Sequence, residues 1–224
     1  GWWSEEFWKL VETYLRNMAE HRQTHIVVPM YELIEWRATS GGKLSLGWRR
    51  FDRFVRLALD AGLETLVGNH LATYTYEIER REEIGVHAYQ VRNGKVVARL
   101  LPAGSPQAER WLNWFLPRLR RHLDQRGWLK RWMQHIRDEP HADIASQYGA
   151  IRDVLKRRAP EIRTIEALHG SIVDSCDCWV PCLNAWGNNL DFFRKRQAAG
   201  EEVWTYVCCG PAGKYANRFI DQHA

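Results

Sequence analysis

An α/β protein on a (β/α)8 TIM-type barrel, incomplete at about six strands and carrying an inserted β-hairpin, is the fold the sequence predicts. Three observations point to it. Short β-branched runs alternate with segments of helical apolar spacing, the pattern of a parallel sheet covered by helices. Each run passes into polar or aromatic residues where the next loop begins, as at Gly68-Asn69-His70. One stretch breaks this rhythm: residues 84–101 alternate around Asn93-Gly94, a strong short-range hairpin signal.

The elements follow in order. Ser4 caps a first helix whose apolar residues Phe7, Val11, Tyr14, Leu15 and Met18 share a face. His25-Ile-Val-Val-Pro-Met30 reads as a buried strand. A second helix carries Trp48, Phe51, Phe54, Val55 and Ala58 and stops at Gly62. Residues 63–67 form the next strand, with the hairpin inserted in the loop after it. Ser105-Pro106 opens a long helix that buries Trp111, Leu112, Phe115, Leu116, Leu119 and Leu123, with Pro117 as a candidate kink and Gly127 as its end. Strands are expected at 132–137, 162–167, 177–181 and 203–208, with helices over 143–158 and 190–198. The tail from Tyr215 to Asp221 reads as loop. With no internal repeat or Pro/Ser-rich linker, residues 1–224 are expected to form one domain.

Composition narrows the function. With 45% hydrophobic and 26% charged residues among 224, the chain reads as an ordinary soluble protein. No apolar run reaches the ~20 residues of a membrane-spanning helix, so no membrane partner is expected. The first residues lack the basic head and apolar middle of a leader, and no Met starts the chain. The net charge of +5 is spread over clusters such as Arg49-Arg50-Arg53-Arg56, each on a helical stretch. A solvated outer face explains these clusters, and no nucleic-acid-binding motif accompanies them. The five cysteines, Cys176, Cys178, Cys182, Cys208 and Cys209, are odd in number and lack paired C-x-x-C spacing. They read as buried thiols on strands, without a metal, and lean toward a reducing, cytoplasmic compartment. Twelve tryptophans suit sugar binding, because an indole face stacks on the apolar face of a pyranose.

The chemistry centres on Asp138-Glu139-Pro140 at the C-terminal end of the 132–137 strand, where a barrel assembles its active site. Neighbouring residues on a strand point to opposite faces, so both carboxylates share a pocket only if the strand has already ended. Pro140 helps, since it disfavours helical geometry at Glu139 and donates no ladder hydrogen bond. Two close carboxylates divide acid and base roles between them, the division glycoside hydrolysis uses.

The stretch Gly127-Trp-Leu-Lys-Arg-Trp-Met-Gln-His-Ile-Arg-Asp-Glu-Pro140 resembles the catalytic region of glycoside hydrolase family 123. Asp177-Cys-Trp-Val-Pro-Cys-Leu-Asn184, Gly200-Glu-Glu-Val-Trp-Thr-Tyr206 and Gly213-Lys-Tyr-Ala-Asn-Arg-Phe-Ile-Asp221 extend the likeness, from about residue 14 to the end. The resemblance implies a retaining exo-β-N-acetylhexosaminidase, N-acetylgalactosaminidase-like, in which the substrate's own 2-acetamido oxygen is the nucleophile. Asp138 would orient that group and stabilise its developing charge. Glu139 would protonate the leaving oxygen and then activate water. Neither a metal nor an organic cofactor is implied; the partner is a carbohydrate with a terminal N-acetylhexosamine. The family barrel would also have a strand before residue 1 and a helix and strand after Ala224.

Other pocket candidates are Trp204 and Tyr206, which share a face of the last strand, Trp179 and Asn184 around the preceding one, Asn69 and His70, Tyr31, and Asn217 in the tail. Each has a bland alternative: Trp179 as core, His70 as a satisfied structural histidine, Asn217 as a turn cap. Glu166 would be a conventional nucleophile were the mechanism not substrate-assisted. The rival class is a non-catalytic carbohydrate-binding barrel, which would bind sugar without hydrolysing it.

Overall fold

A computed structural model describes residues 1–74, 83–168 and 176–208, apart from the side chain of Asn184. The described elements run α1 (Glu5–Glu20), β1 (His25–Val28), α2 (Met30–Leu33), β2 (Glu35–Ala38), β3 (Leu44–Gly47), α3 (Arg49–Ala61), β4 (Thr65–Gly68), β5 (Ala72–Tyr74), β6 (Ile84–Arg92) and β7 (Lys95–Pro102). They continue with α4 (Pro106–Gln125), β8 (Trp132–Gln134), α5 (Ala145–Arg158), β9 (Arg163–Leu168), β10 (Cys178–Pro181), α6 (Leu183–Asn188), α7 (Leu190–Ala198) and β11 (Glu202–Val203).

Local chemistry accounts for the helix ends. The Ser4 hydroxyl accepts from Phe7 N at 3.3 Å, and Glu5 and Glu6 complement the positive N-terminus of α1. Ser105 does the same for α4 through Ala108 N at 3.2 Å, with Pro106 in the first turn. Gly62 ends α3 at φ +105°, a left-handed conformation that glycine adopts without steric cost. α4 runs unbroken through Pro117.

Six parallel strands form the main sheet in the order β1-β4-β8-β9-β10-β11. Its two faces bury separate apolar clusters. On one face Val28, Leu66, Trp132, Leu168 and Trp179 pack into the large core under the helices. On the other, Val67, Met133, Ile165 and Cys178 form a smaller cluster joined by Val180 and Trp204. The sheet is curled, since the His25 ring on one edge strand meets the Trp204 ring beside the other edge at 4.4 Å. A mixed α/β architecture with a parallel six-stranded sheet is therefore present, consistent with a partial barrel.

The hairpin anticipated around Asn93-Gly94 is β6 and β7, paired antiparallel and extended by β5 into a three-stranded sheet. A second hairpin, β2 with β3, was not foreseen; it turns through Ser40-Gly41-Gly42, with Gly42 at φ +70°. Strands in the main sheet are shorter than the apolar runs suggest. β8 stops at Gln134 because His135 and Ile136 turn their carbonyls to Leu71 N (3.1 Å) and Ala72 N (2.9 Å). β11 covers two residues, although Trp204 N and Tyr206 N still donate to Trp179 O and Pro181 O. Cys178 is a buried thiol on β10, as expected; Cys182 is buried but lies just past that strand, Cys176 is half-buried before it, and Cys208 is exposed. Cys209 and the 215–221 tail lie outside the described residues.

Candidate active site

The site is built at the C-terminal ends of the strands, starting from the end of β8. Gln134 is fully buried, and its amide nitrogen lies within hydrogen-bond distance of the carbonyl oxygens of Gly68 (3.2 Å), Asn69 (2.8 Å) and His135 (2.8 Å). Its oxygen accepts from Trp132 Nε1 at 3.3 Å. One side chain thus ties the ends of β4 and β8 together. Gly68 makes room for it: a Cβ there would overlap Gln134 Oε1 and the Trp132 ring.

Glu166, on β9 and also fully buried, secures the next step of the chain. Its Oε1 accepts from Ile136 N at 2.8 Å and from Tyr148 Oη at 3.0 Å, and its Oε2 faces His135 Nδ1 at 3.3 Å. Burial raises the Glu166 carboxyl above its ordinary value, and the His135, Ile136 and Tyr148 contacts work against that rise. Arg137 follows, nearly buried, its Nη1 donating to Asp138 O at 2.6 Å and its guanidinium lying 3.7 Å from the centre of the Tyr74 ring.

At Asp138 and Glu139 the chain presents its two carboxylates in different directions. Asp138 Oδ1 lies 4.0 Å from His70 Nε2, beside the end of β4. Glu139 accepts a hydrogen bond from the Tyr206 hydroxyl, which follows β11. In a flat sheet β8 and β11, three strands apart, would be separated by about 14 Å at ~4.8 Å per spacing. A direct contact between residues at their ends requires the concave mouth that curling creates. Glu139 has φ +44°, in the left-handed region, so the extended alternation of β8 is broken at the pair itself.

The electrostatics set the protonation of both neighbours. His70 is pushed down to about 4, first by burial and then by His135 and Arg137, with Asp138 pulling the other way. Its imidazole is neutral near pH 7, and its Nε2 is buried without a hydrogen-bond partner among the described residues. Burial, then the hydrogen bond to Glu139, raises the Tyr206 hydroxyl well above its ordinary value, so it remains a donor.

Of the residues singled out in sequence, Asp138, Glu139, His70 and Tyr206 come together here. The others do not. Asn69 accepts from Met30 N at 3.1 Å and so fixes the start of α2. Tyr31 is buried among Trp36, His87, Tyr89 and Phe115. Trp179 faces α7, edge-on to Phe192 at 5.4 Å and donating to Glu201 at 2.7 Å. Trp204 sits in the smaller cluster against His25. Glu166 is enclosed by its donors, turned to the helix side with Tyr148 of α5. Asn184 lies in the first turn of α6 with its side chain outside the described part, and Asn217 lies outside the described residues. Conversely, sequence reasoning passed over Gln134, His135, Arg137 and Tyr74. The first three lie within four residues of Asp138 in sequence and were findable by position; Tyr74 had no signal. Among the described residues no group of three His, Cys, Asp or Glu side chains is placed to hold a metal ion, and no helix is long and apolar enough to cross a membrane.

Comparison with known proteins adds four findings. A sequence profile of the glycoside hydrolase 123 catalytic domain matches residues 1–224. The fold is similar to a structure described as a family 123 glycoside hydrolase from Clostridium perfringens, in work on glycolipid glycan hydrolysis, with a TM-score of 0.71 at 16% identity. That match covers 94% of this chain and 40% of the other, so this chain spans well under half the length of that relative. A β-galactosidase from the psychrophilic Marinomonas ef1 is more distant, with a TM-score of 0.45, 11% identity and 80% and 39% of the two chains covered. No curated protein sequence matches.

Proposed function

Since the chain belongs to the glycoside hydrolase 123 catalytic domain family, we propose that it carries the catalytic centre of a retaining exo-β-N-acetylhexosaminidase that acts on terminal N-acetylgalactosamine or a close relative. The sheet would be the larger part of a (β/α)8 barrel, and residues 1–224 would act as one catalytic unit. The observation that carries this reading is the divergence of the acid pair. Asp138 looks toward β4 and His70, and Glu139 reaches across the mouth to Tyr206. A sugar ring lying between them would meet a different carboxylate on each side.

In this mechanism the acetamido oxygen attacks the anomeric carbon as the bond to the leaving oxygen breaks. Glu139 gives its proton to that oxygen. Asp138 holds the acetamido N–H and stabilises the positive charge that spreads over the resulting oxazolinium ring. Glu139, now a carboxylate, takes a proton from water as water attacks the same carbon, and the acetamide is released with net retention. Tyr206, kept protonated, fixes the orientation of Glu139 through both steps. Neutral His70 offers a hydrogen-bonding nitrogen beside Asp138.

Paired aryl glycosides that differ only in a 2-acetamido or a 2-hydroxyl group test the proposal. Hydrolysis should require the acetamide, and Glu139→Gln should remove it by the ~10²–10⁴-fold typical of a lost general acid. Asp138→Asn should lower kcat for the acetamido substrate most when the leaving group is poor. Equal turnover of the two substrates sinks the substrate-assisted step. Sugar binding by calorimetry without hydrolysis sinks the enzyme reading altogether.

A further inference from the structure

Burying a carboxylate on a β-strand is costly, and a position that only filled the core would hold Val or Ile. Glu166 is such a residue, with no exposed surface, between Ile165 and Ala167 on β9. The register explains what it does. Met133 pairs with Arg163 and Gln134 with Thr164, so Ile136 would stand level with Glu166 if the ladder continued. The backbone ladder has ended by then. The Glu166 side chain takes its place and accepts the Ile136 amide at 2.8 Å. From the other side, Leu71 N and Ala72 N hold the carbonyls of His135 and Ile136. The chain is therefore clamped from both neighbours two residues before Asp138, a distance of about 7 Å along extended backbone at ~3.4 Å per residue. Tyr148 Oη holds the carboxylate from α5, and His135, on its second oxygen, lies with its ring 4.8 Å from that of His70.

We propose that Glu166 is a positioning residue, whose buried carboxylate fixes the backbone at Ile136 and the His135 ring and thereby sets the presentation of Asp138, Glu139 and His70. It touches no substrate and supplies no nucleophile. This role rests on the glycosidase reading for its kinetic consequence, but the clamp itself is a property of the backbone.

The experiment uses Glu166→Gln, Glu166→Ala and Tyr148→Phe, with kinetics on an aryl 2-acetamido-β-galactoside and site-resolved hydrogen exchange. Gln keeps an oxygen for Ile136 N and Tyr148, whereas Ala leaves both donors unpaired. A misplacement of about 1 Å costs on the order of 10²-fold in rate, so Glu166→Ala should lose about a hundredfold in kcat with KM within about threefold. Glu166→Gln should recover much of that loss, and Tyr148→Phe should fall between it and wild type. Exchange at Ile136, Arg137, Asp138 and Glu139 should quicken at least about tenfold in Glu166→Ala while the amides of β4 and β9 stay protected. Wild-type kcat and wild-type protection of residues 136–139 in Glu166→Ala would overturn the proposal. So would Glu166→Gln as inactive as Glu166→Ala, which marks a nucleophile, or protection lost equally across the sheet in all three variants, which marks a mere core residue. If the wild type hydrolyses no 2-acetamido glycoside, the glycosidase reading fails, and exchange at 136–139 still decides whether the clamp exists.

Discussion

Glu139 sits at φ +44°, a conformation that costs a residue with a Cβ about 1–2 kcal/mol relative to a right-handed one. That cost falls on the residue whose carboxylate meets Tyr206, so the strain coincides with the proposed general acid. Glycine relieves it. Of two variants that both lack the carboxylate, Glu139→Gly should be more stable than Glu139→Ala by about 1 kcal/mol in urea denaturation, and both should be inactive. Tyr206→Phe should lower kcat by less than the ~10²–10⁴-fold loss of the acid itself, because it frees the orientation of Glu139 without removing its proton. The acid pair was legible from D-E-P at a strand end and from the family blocks around it. Its geometry was not, since Pro140 argued only against helical geometry at Glu139 and gave no sign that φ turns positive. His70 and Tyr206 are legible as polar or aromatic residues at strand ends. The same criterion selects Trp179, which the pleat turns toward α7, because strand position alone does not tell which face meets the mouth.

The strand ends depend on side chains that replace backbone pairing. The Gln134 side chain reinforces the last pair of the β4–β8 ladder and reaches past it to Asn69 O, and the gap above Gly68 admits its amide. Gly68→Ala should therefore destabilise the protein by about 1–3 kcal/mol, read from a lower urea midpoint at unchanged slope, since the added methyl has neither space nor a partner that yields. A neutral result would mean the Gln134 amide is free to move. The helices were the most legible elements: Ser4, Ser105 and Gly62 mark their ends by chemistry that acts within one turn. The β2–β3 hairpin escaped notice because Glu35-Trp-Arg-Ala38 has no uninterrupted apolar run, and both strands are only half-buried. α2 is a single turn after Pro29, held by Asn69 from 39 residues away, a partner that no local pattern announces.

Across the molecule, His70, His25, His87 and His122 are all shifted down from the ordinary value near 6.5, in each case first by burial. Between about pH 4 and 6.5 the unfolded chain holds a proton at His70 that the folded protein refuses, so stability should rise with pH across that window. Glu166, raised by burial, contributes with the opposite sign as pH climbs past its unfolded value near 4.5. The His70 share is therefore isolated by difference: the melting temperature of His70→Asn should fall less on acidification from pH 6.5 to 4 than that of the wild type. Parallel slopes would place His70 outside the acid response. The parallel strand order was readable from alternating runs and helices. The contact that displays the sheet's curl, His25 against Trp204, was not, because it joins residues near opposite ends of the sequence.

The hydrogen bond from Tyr206 to Glu139 joins parts of the chain that are 67 residues apart, with the clamp residue Glu166 between them in sequence. The order of synthesis then becomes the order of assembly. The ribosome releases the acid pair first, the residue that holds its backbone second, and the hydroxyl that orients the acid last. A nascent chain that stops between residues 168 and 205 already carries β1, β4, β8 and β9, yet lacks the final donor to Glu139. The orientation of Glu139 should therefore be fixed only once Tyr206 has left the ribosome, after β1, β4, β8 and β9 have been made.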